Sequence, residues 1–224
     1  MKENNPQETV NFIVHSGIVP VFYNHDEEVC RQVVQSCYQA GLRVFEFTNR
    51  GEVALANFKS IRKFIDSDCS DMQLGAGTIF NSSTAEKFIA AGADFIVSPA
   101  FVPAMNMVQR EYCKLWIPGC ATVSELAHAR DAGAMMMKIF PGDVLGPKFI
   151  SSVLSVMPEL KLMPTGGAEP TRESLTAWFQ SGVVAVGMGS QLFPNELIVK
   201  KNWQGLTIRI MEALILVSDI KSKK

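Results

Sequence analysis

Lys138 stands inside an apolar run, Ala134-Met135-Met136-Met137-Lys138-Ile139-Phe140-Pro141, with the composition of a fully buried β-strand. Taking an amine out of water disfavours its charged form, and a neutral amine attacks ketones, so a Schiff base is the chemistry that this residue type in this setting makes available. The plain alternative is a lysine whose stem crosses apolar surface while its head reaches water at the strand end. A second segment bears on the choice. In Val44-Phe45-Glu46-Phe47-Thr48-Asn49-Arg50, alternation at a period of two puts Phe45 and Phe47 on one face and Glu46, Thr48 and Arg50 on the other. A carboxylate suited to proton transfer and a guanidinium suited to an anion then converge. A purely structural ion pair between Glu46 and Lys138 is the competing account.

These residues need elements to carry them, and the chain offers a regular alternation. Strands are predicted at Ile18 to Tyr23, Arg43 to Thr48, Gln73 to Thr78, Asp94 to Ser98, Leu115 to Gly119, Ala134 to Phe140, Lys161 to Thr165 and Val183 to Met188. Amphipathic segments fill the gaps: one from about Asp26 to Gly41, then Glu52 to Ser67, Ser83 to Ala91, Pro103 to Glu111, Val123 to Ala132, Pro147 to Met157 and Thr171 to Ser181. Further helices are expected at Pro6 to Ser16 and from Trp203 to about Ile220. Apolar strands in strict alternation with helices exclude an antiparallel sandwich and predict an α/β protein: a (β/α)8 TIM barrel with an extra N-terminal helix, as one domain over 1–224. An open doubly wound sheet is the rival architecture.

Active sites of such barrels lie at the C-terminal mouth, with phosphate commonly bound after the seventh and eighth strands. Those places hold Pro164-Thr165-Gly166-Gly167 and Gly187-Met188-Gly189-Ser190. Their glycines let backbone amides approach an anion, and helix starts at Thr171 or near Gln191 are expected to add a positive dipole end. Gly75-Ala76-Gly77-Thr78 offers a hydroxyl beside small residues, read here as open space for a ligand.

Composition narrows the partners. The chain has 224 residues, 47% of them apolar, and a formal net charge of -1, so it can bury a sizeable core and has no basic block for nucleic acid or anionic membrane. Met1 to Glu8 is polar and acidic, which argues against a secretory signal, and no apolar run is long enough to span a bilayer. A cytoplasmic protein is expected. Cys30, Cys37, Cys69, Cys113 and Cys120 are odd in number and lack metal-site spacing, as do His15, His25 and His128, so neither metal nor cofactor is expected.

Taken in order, Ile18-Val19-Pro20-Val21, Glu46-Phe47-Thr48-Asn49-Arg50, Gly75-Ala76-Gly77-Thr78, Phe95-Ile96-Val97-Ser98-Pro99, Ile117-Pro118-Gly119, Lys138-Ile139-Phe140-Pro141 and Pro164-Thr165-Gly166-Gly167 make the chain resemble a known family. It is similar to the 2-keto-3-deoxy-6-phosphogluconate (KDPG) and 4-hydroxy-2-oxoglutarate (KHG) aldolases, class I lyases on a (β/α)8 barrel. The resemblance implies cleavage of KDPG to pyruvate and glyceraldehyde 3-phosphate, and of KHG to pyruvate and glyoxylate. It implies Lys138 as the Schiff-base lysine and Glu46 as general acid/base, with Arg50 and Thr78 on the substrate carboxylate. Pro99, Phe140 and Thr165 would touch substrate, and Gly166, Gly167, Gly189 and Ser190 would take the phosphate. A small 2-keto acid partner and a homotrimer are implied as well. Two departures stand out: Phe140-Pro141-Gly142-Asp143 replaces the family's Pro-Ala continuation and adds a carboxylate, and Gly187-Met188-Gly189-Ser190-Gln191 replaces Gly-Gly-Ser-Trp. A phosphosugar isomerase or epimerase using Glu46 without a covalent step, and a non-catalytic sugar-phosphate binder, are the alternative readings.

Overall fold

The computed structural model describes residues 5–223. Met1 to Asn4, half of the polar stretch read as excluding a leader, lie outside the described residues. Helix α1 (Pro6–Ser16) begins where the Asn5 side chain accepts from the Gln7 amide at 3.0 Å and proline sits in the first turn. There follow β1 (Ile18–Phe22), α2 (Glu27–Gln39), β2 (Val44–Thr48), α3 (Ala54–Asp68), β3 (Gln73–Gly77), α4 (Ser82–Ala90) and β4 (Phe95–Val97). A 3-10 turn (Pro103–Asn106) leads into α5 (Met107–Arg110), β5 (Leu115–Ile117) and β6 (Gly119–Cys120). The chain then runs through α6 (Val123–Asp131), β7 (Met137–Ile139), α7 (Gly142–Leu154), β8 (Leu162–Pro164), α8 (Arg172–Gln180), β9 (Val186–Met188), α9 (Asn195–Val199) and α10 (Trp203–Ser222). None of the described helices is long and apolar enough to cross a membrane.

All strand pairs are parallel, in a six-stranded sheet of order β5-β4-β3-β2-β1-β9 and a three-stranded sheet of order β6-β7-β8. The fold is α/β on a curled parallel sheet. Pro118 parts β5 from β6 because it has no N–H for the ladder, yet its carbonyl still accepts from the Lys138 amide at 2.8 Å. Across the other side, a parallel bridge joins Thr165 to Gly187, and the Val184 amide donates to Leu162 at 3.1 Å.

Side-chain alternation sorts the interior into two apolar clusters. Phe45, Phe47, Ile96, Trp116, Met137 and Ile139 face the helices, while Val19, Val44, Phe95, Val97, Met136 and Met163 fill the inner side of the curl, with Val10 and Ile13 of α1 packed among them. Fully burying one such side chain is worth about 1.5–3 kcal/mol, so reversing the parity of even one strand is costly.

Three expectations need correction. The single helix expected over Pro103 to Glu111 is a 3-10 turn followed by the one-turn α5. The helix expected from Pro147 does open there, but α7 also takes in a separate first turn from Gly142, set off by Gly146, whose φ of 69° and ψ of 173° are not helical. Helix α9 begins at Asn195, beyond the helix start expected near Gln191.

Candidate active site

Lys138 and Glu46 meet on the inner side of the curl. Lys138 lies between the helix-facing Met137 and Ile139, and Glu46 between the helix-facing Phe45 and Phe47, so the pleat turns both inward. Their exposures are 5% and 0%, and Lys138 Nζ stands 3.5 Å from Glu46 Oε1. That separation is at the outer limit for a hydrogen bond. Among the described residues Glu46 Oε2, which is buried, finds no hydrogen-bond partner, a costly state for a carboxylate oxygen unless a ligand supplies a donor.

Gly77 makes room for the Glu46 carboxylate and Gly75 for Phe95, which differs from expectation. A Cβ on Gly77 would fall 2.0 Å from Glu46 Oε1, and one on Gly75 would fall 2.2 Å from the Phe95 ring. The space read as open for a ligand is thus filled by the Glu46 carboxylate and by Phe95. The aromatic ring forms an apolar packing partner on the inner face, with Val97 and Met163.

One inward step further along the strands, Thr48, Arg50, Phe140 and Thr165 line a cavity of about 450 Å³ together with Gly166, Gly167, Gly189 and Ser190. Arg50 is exposed at the mouth, and the Phe140 ring centroid lies 5.5 Å from Lys138 Nζ. Thr78 and Pro99 do not line this cavity. Thr78 follows Gly77, against which Glu46 rests, and holds a φ of 61°. Pro99 packs its backbone on Gly119, the register partner of Lys138; a Cβ there would come within 2.3 Å of it. Each thus stands beside a glycine next to the pair, Thr78 following Gly77 and Pro99 packing on Gly119.

Sequence reasoning passed over Val21, Phe22, Tyr23, Gln191 and Phe193, which also line the cavity. For Val21 and Tyr23 the signal was present, since they continue the inward parity of Val19 on β1. Phe22 and Phe193 enter through an edge-to-face contact at 5.2 Å that no local pattern announces. Cys120, unexplained by its sequence context, is buried in the helix-facing core, where burial pushes its thiol up to about 12.

The far wall of the cavity is made of backbone. Gly166 and Gly167 hold φ values of 95° and 75°, which side-chain-bearing residues rarely adopt. Among the described residues, the amides of Gly166, Gly167, Ser190 and Gln191 donate to no protein acceptor, whereas Leu192 and Phe193 both donate back to the Gly189 carbonyl, at 2.9 and 3.1 Å. The helix start expected near Gln191 is this turn instead, and α9 begins only at Asn195. Asp143 adjoins the same wall, its Oδ1 3.0 Å from where a Gly166 Cβ would lie. Thr165 Oγ1 is buried without a partner and fills the place of a side chain on Gly187.

A family model described as KDPG and KHG aldolase matches residues 10–209. The chain belongs to that aldolase family. The 2-dehydro-3-deoxy-phosphogluconate aldolase of Pseudoalteromonas atlantica is 29% identical over 191 residues, which cover 85% of this chain and 86% of the relative. The KHG/KDPG aldolase of Escherichia coli is 28% identical over 200 residues, covering 88% and 90%. Among solved structures, KDPG aldolase from Legionella pneumophila superposes with a TM-score of 0.82 at 27% identity, over 90% of this chain and 96% of that one; it holds pyruvate captured at low pH as a covalent carbinolamine intermediate. Membership in the KDPG and KHG aldolase family thus spans the strands that carry Glu46 and Lys138.

Proposed function

We propose that this chain is a class I aldolase that cleaves KDPG to pyruvate and glyceraldehyde 3-phosphate, and KHG to pyruvate and glyoxylate, through a Schiff base on Lys138. The observation that carries the reading is the buried Lys138–Glu46 pair with its unpartnered carboxylate oxygen, set directly beneath a cavity lined by Arg50. Arg50 and Thr78 hold the substrate carboxylate by charge-assisted and hydroxyl hydrogen bonds, and Pro99, Phe140 and Thr165 bound the carbon chain. Lys138 Nζ attacks the C2 ketone, and Glu46 delivers the proton that lets the carbinolamine lose water. The resulting iminium accepts the electrons of the C3–C4 bond as that bond breaks, Glu46 takes the proton of the C4 hydroxyl, and the aldehyde departs. The enamine is then protonated at C3, and water releases pyruvate and the free lysine. The amides of Gly166, Gly167, Gly189 and Ser190 are the proposed seat of the phosphate.

The finer architecture belongs to the same reading. We take the two sheets as one closed (β/α)8 barrel and one domain over 1–224, with α1 as an extra helix beneath it. The continuous chain through Pro118 and the Thr165–Gly187 bridge support this. The cytoplasm is the proposed location, in keeping with five free cysteines. A homotrimer, implied by the family resemblance, is the proposed assembly.

The test is a panel of 2-keto-3-deoxy acids assayed for pyruvate release with the parent chain and with Lys138→Met. Release from KDPG by the parent, lost in the variant while substrate binding persists, is expected. Unchanged turnover in the variant would point to a non-covalent isomerase, and an inactive parent that still binds would point to a sugar-phosphate binder.

A further inference from the structure

Both loops at the far wall of the cavity are tethered from behind through a carbonyl. Trp178 on α8 donates its indole N–H to Gly167 O at 3.3 Å, and Arg209 on α10 donates Nη2 to Gln191 O at 2.8 Å. The tethers differ in charge. Trp178 is neutral, whereas Arg209 brings a guanidinium to the outer side of the turn from Gly189 to Phe193. Among the described residues its buried Nε has no hydrogen-bond partner and no carboxylate pairs with the guanidinium. A cation with no carboxylate beside it leaves positive potential at the turn for an anion to meet.

The geometry around it gives that charge a direction. The Gln191–Leu192 peptide is fixed at both ends, with Leu192 N–H on Gly189 O at 2.9 Å and Gln191 O on Arg209. The amides of Ser190 and Gln191 remain as the free donors of the turn, on a stretch that lines the cavity. Apart from Arg50, the residues lining the cavity carry no positive charge.

We infer that Arg209 is a positioning residue for the distal anion of the substrate: it holds the Gly189–Gln191 turn with its amides toward the cavity, and its charge supplies the positive potential that favours a phosphate over a hydroxyl there. This rests on the aldolase reading of the same cavity. Arg209 touches neither the reacting atoms nor the substrate. It acts through the Gln191 carbonyl and through space.

The experiment compares KDPG with 2-keto-3-deoxygluconate, which differs only in lacking the phosphate, in the parent, Arg209→Met, Arg209→Lys and, as a neutral-tether control, Trp178→Phe. In Arg209→Met the ratio of kcat/KM for the phosphorylated over the unphosphorylated acid falls about tenfold, mainly through KM, as expected for loss of one partly screened charge interaction. Arg209→Lys keeps most of the ratio because it keeps the charge, and Trp178→Phe moves it less than Arg209→Met does. A ratio unmoved in Arg209→Met, or an Arg209→Lys as deficient as Arg209→Met, overturns the inference. A second readout does not depend on turnover: inorganic phosphate should raise the thermal midpoint of the parent and raise that of Arg209→Met less. Equal rises, or no rise in the parent, also overturn it. If the parent cleaves neither acid, the aldolase reading fails, and the phosphate shift still judges Arg209.

Discussion

Beneath the cavity the proposed working groups are side chains on strands, Glu46 and Lys138, buried, 3.5 Å apart and aimed by the pleat. At the outer end the proposed groups are backbone amides of two loops, which carry positive φ at Gly166 and Gly167 and carbonyl tethers from α8 and α10. Changes at the two ends should therefore be felt in different quantities. A strand side chain can be replaced by an isostere with little effect on its neighbours, so its loss appears in chemistry. A loop amide cannot be removed without altering the loop, so its loss appears in binding of whatever the loop holds.

The sharpest way to break this contrast is Glu46→Gln. The amide has nearly the same volume, keeps an oxygen facing Lys138 and fits the notch left by Gly77. Folding should survive, while exchange of pyruvate methyl protons with deuterium, which reports iminium–enamine interconversion without an aldehyde, falls by on the order of 10²–10⁴. If the pair were structural, removing one partner would cost about 3–5 kcal/mol of stability and leave exchange per folded molecule near normal. A melting curve beside the exchange assay separates the two.

A smaller effect is expected at the outer end. Gly166→Val puts a branched side chain at a φ of 95° and against Asp143 Oδ1, so it should turn the amides of that loop away from the cavity. KM for KDPG should rise by about tenfold or more, with a lesser loss of turnover on an unphosphorylated 2-keto-3-deoxy acid. Equal damage to both substrates would mean that the loop serves the fold and not the phosphate.

The same contrast explains how much the sequence discloses. Phe45, Phe47, Met137 and Ile139 alternate with Glu46 and Lys138, and that alternation is enough to place the pair on the inner face, because a strand's side-chain direction is set by position alone. The repeated strand–helix order likewise announces a parallel sheet. What stays hidden depends on contacts between distant segments. Gly75 and Gly77 look like open space until Phe95 and Glu46 are seen to occupy it. Phe193 reaches the cavity only by packing on Phe22, and Arg209, 18 residues beyond Gln191, gains its meaning only when α10 folds back behind the turn. The break at Pro118 could have been foreseen from the missing N–H. The early start of α7 could not, because Gly146-Pro147 reads locally as a place where a helix begins.

Whether Lys138 forms the covalent bond to the keto acid is decided by reductive trapping. The protein is incubated with pyruvate and sodium borohydride, without added metal, then weighed intact and mapped by peptide mass. One reduced pyruvate adduct per chain is expected, on the peptide containing Lys138, with activity lost in proportion to labelling. An unlabelled protein that still cleaves KDPG, or an adduct on another lysine such as Lys148 with Lys138 unmodified, would contradict it.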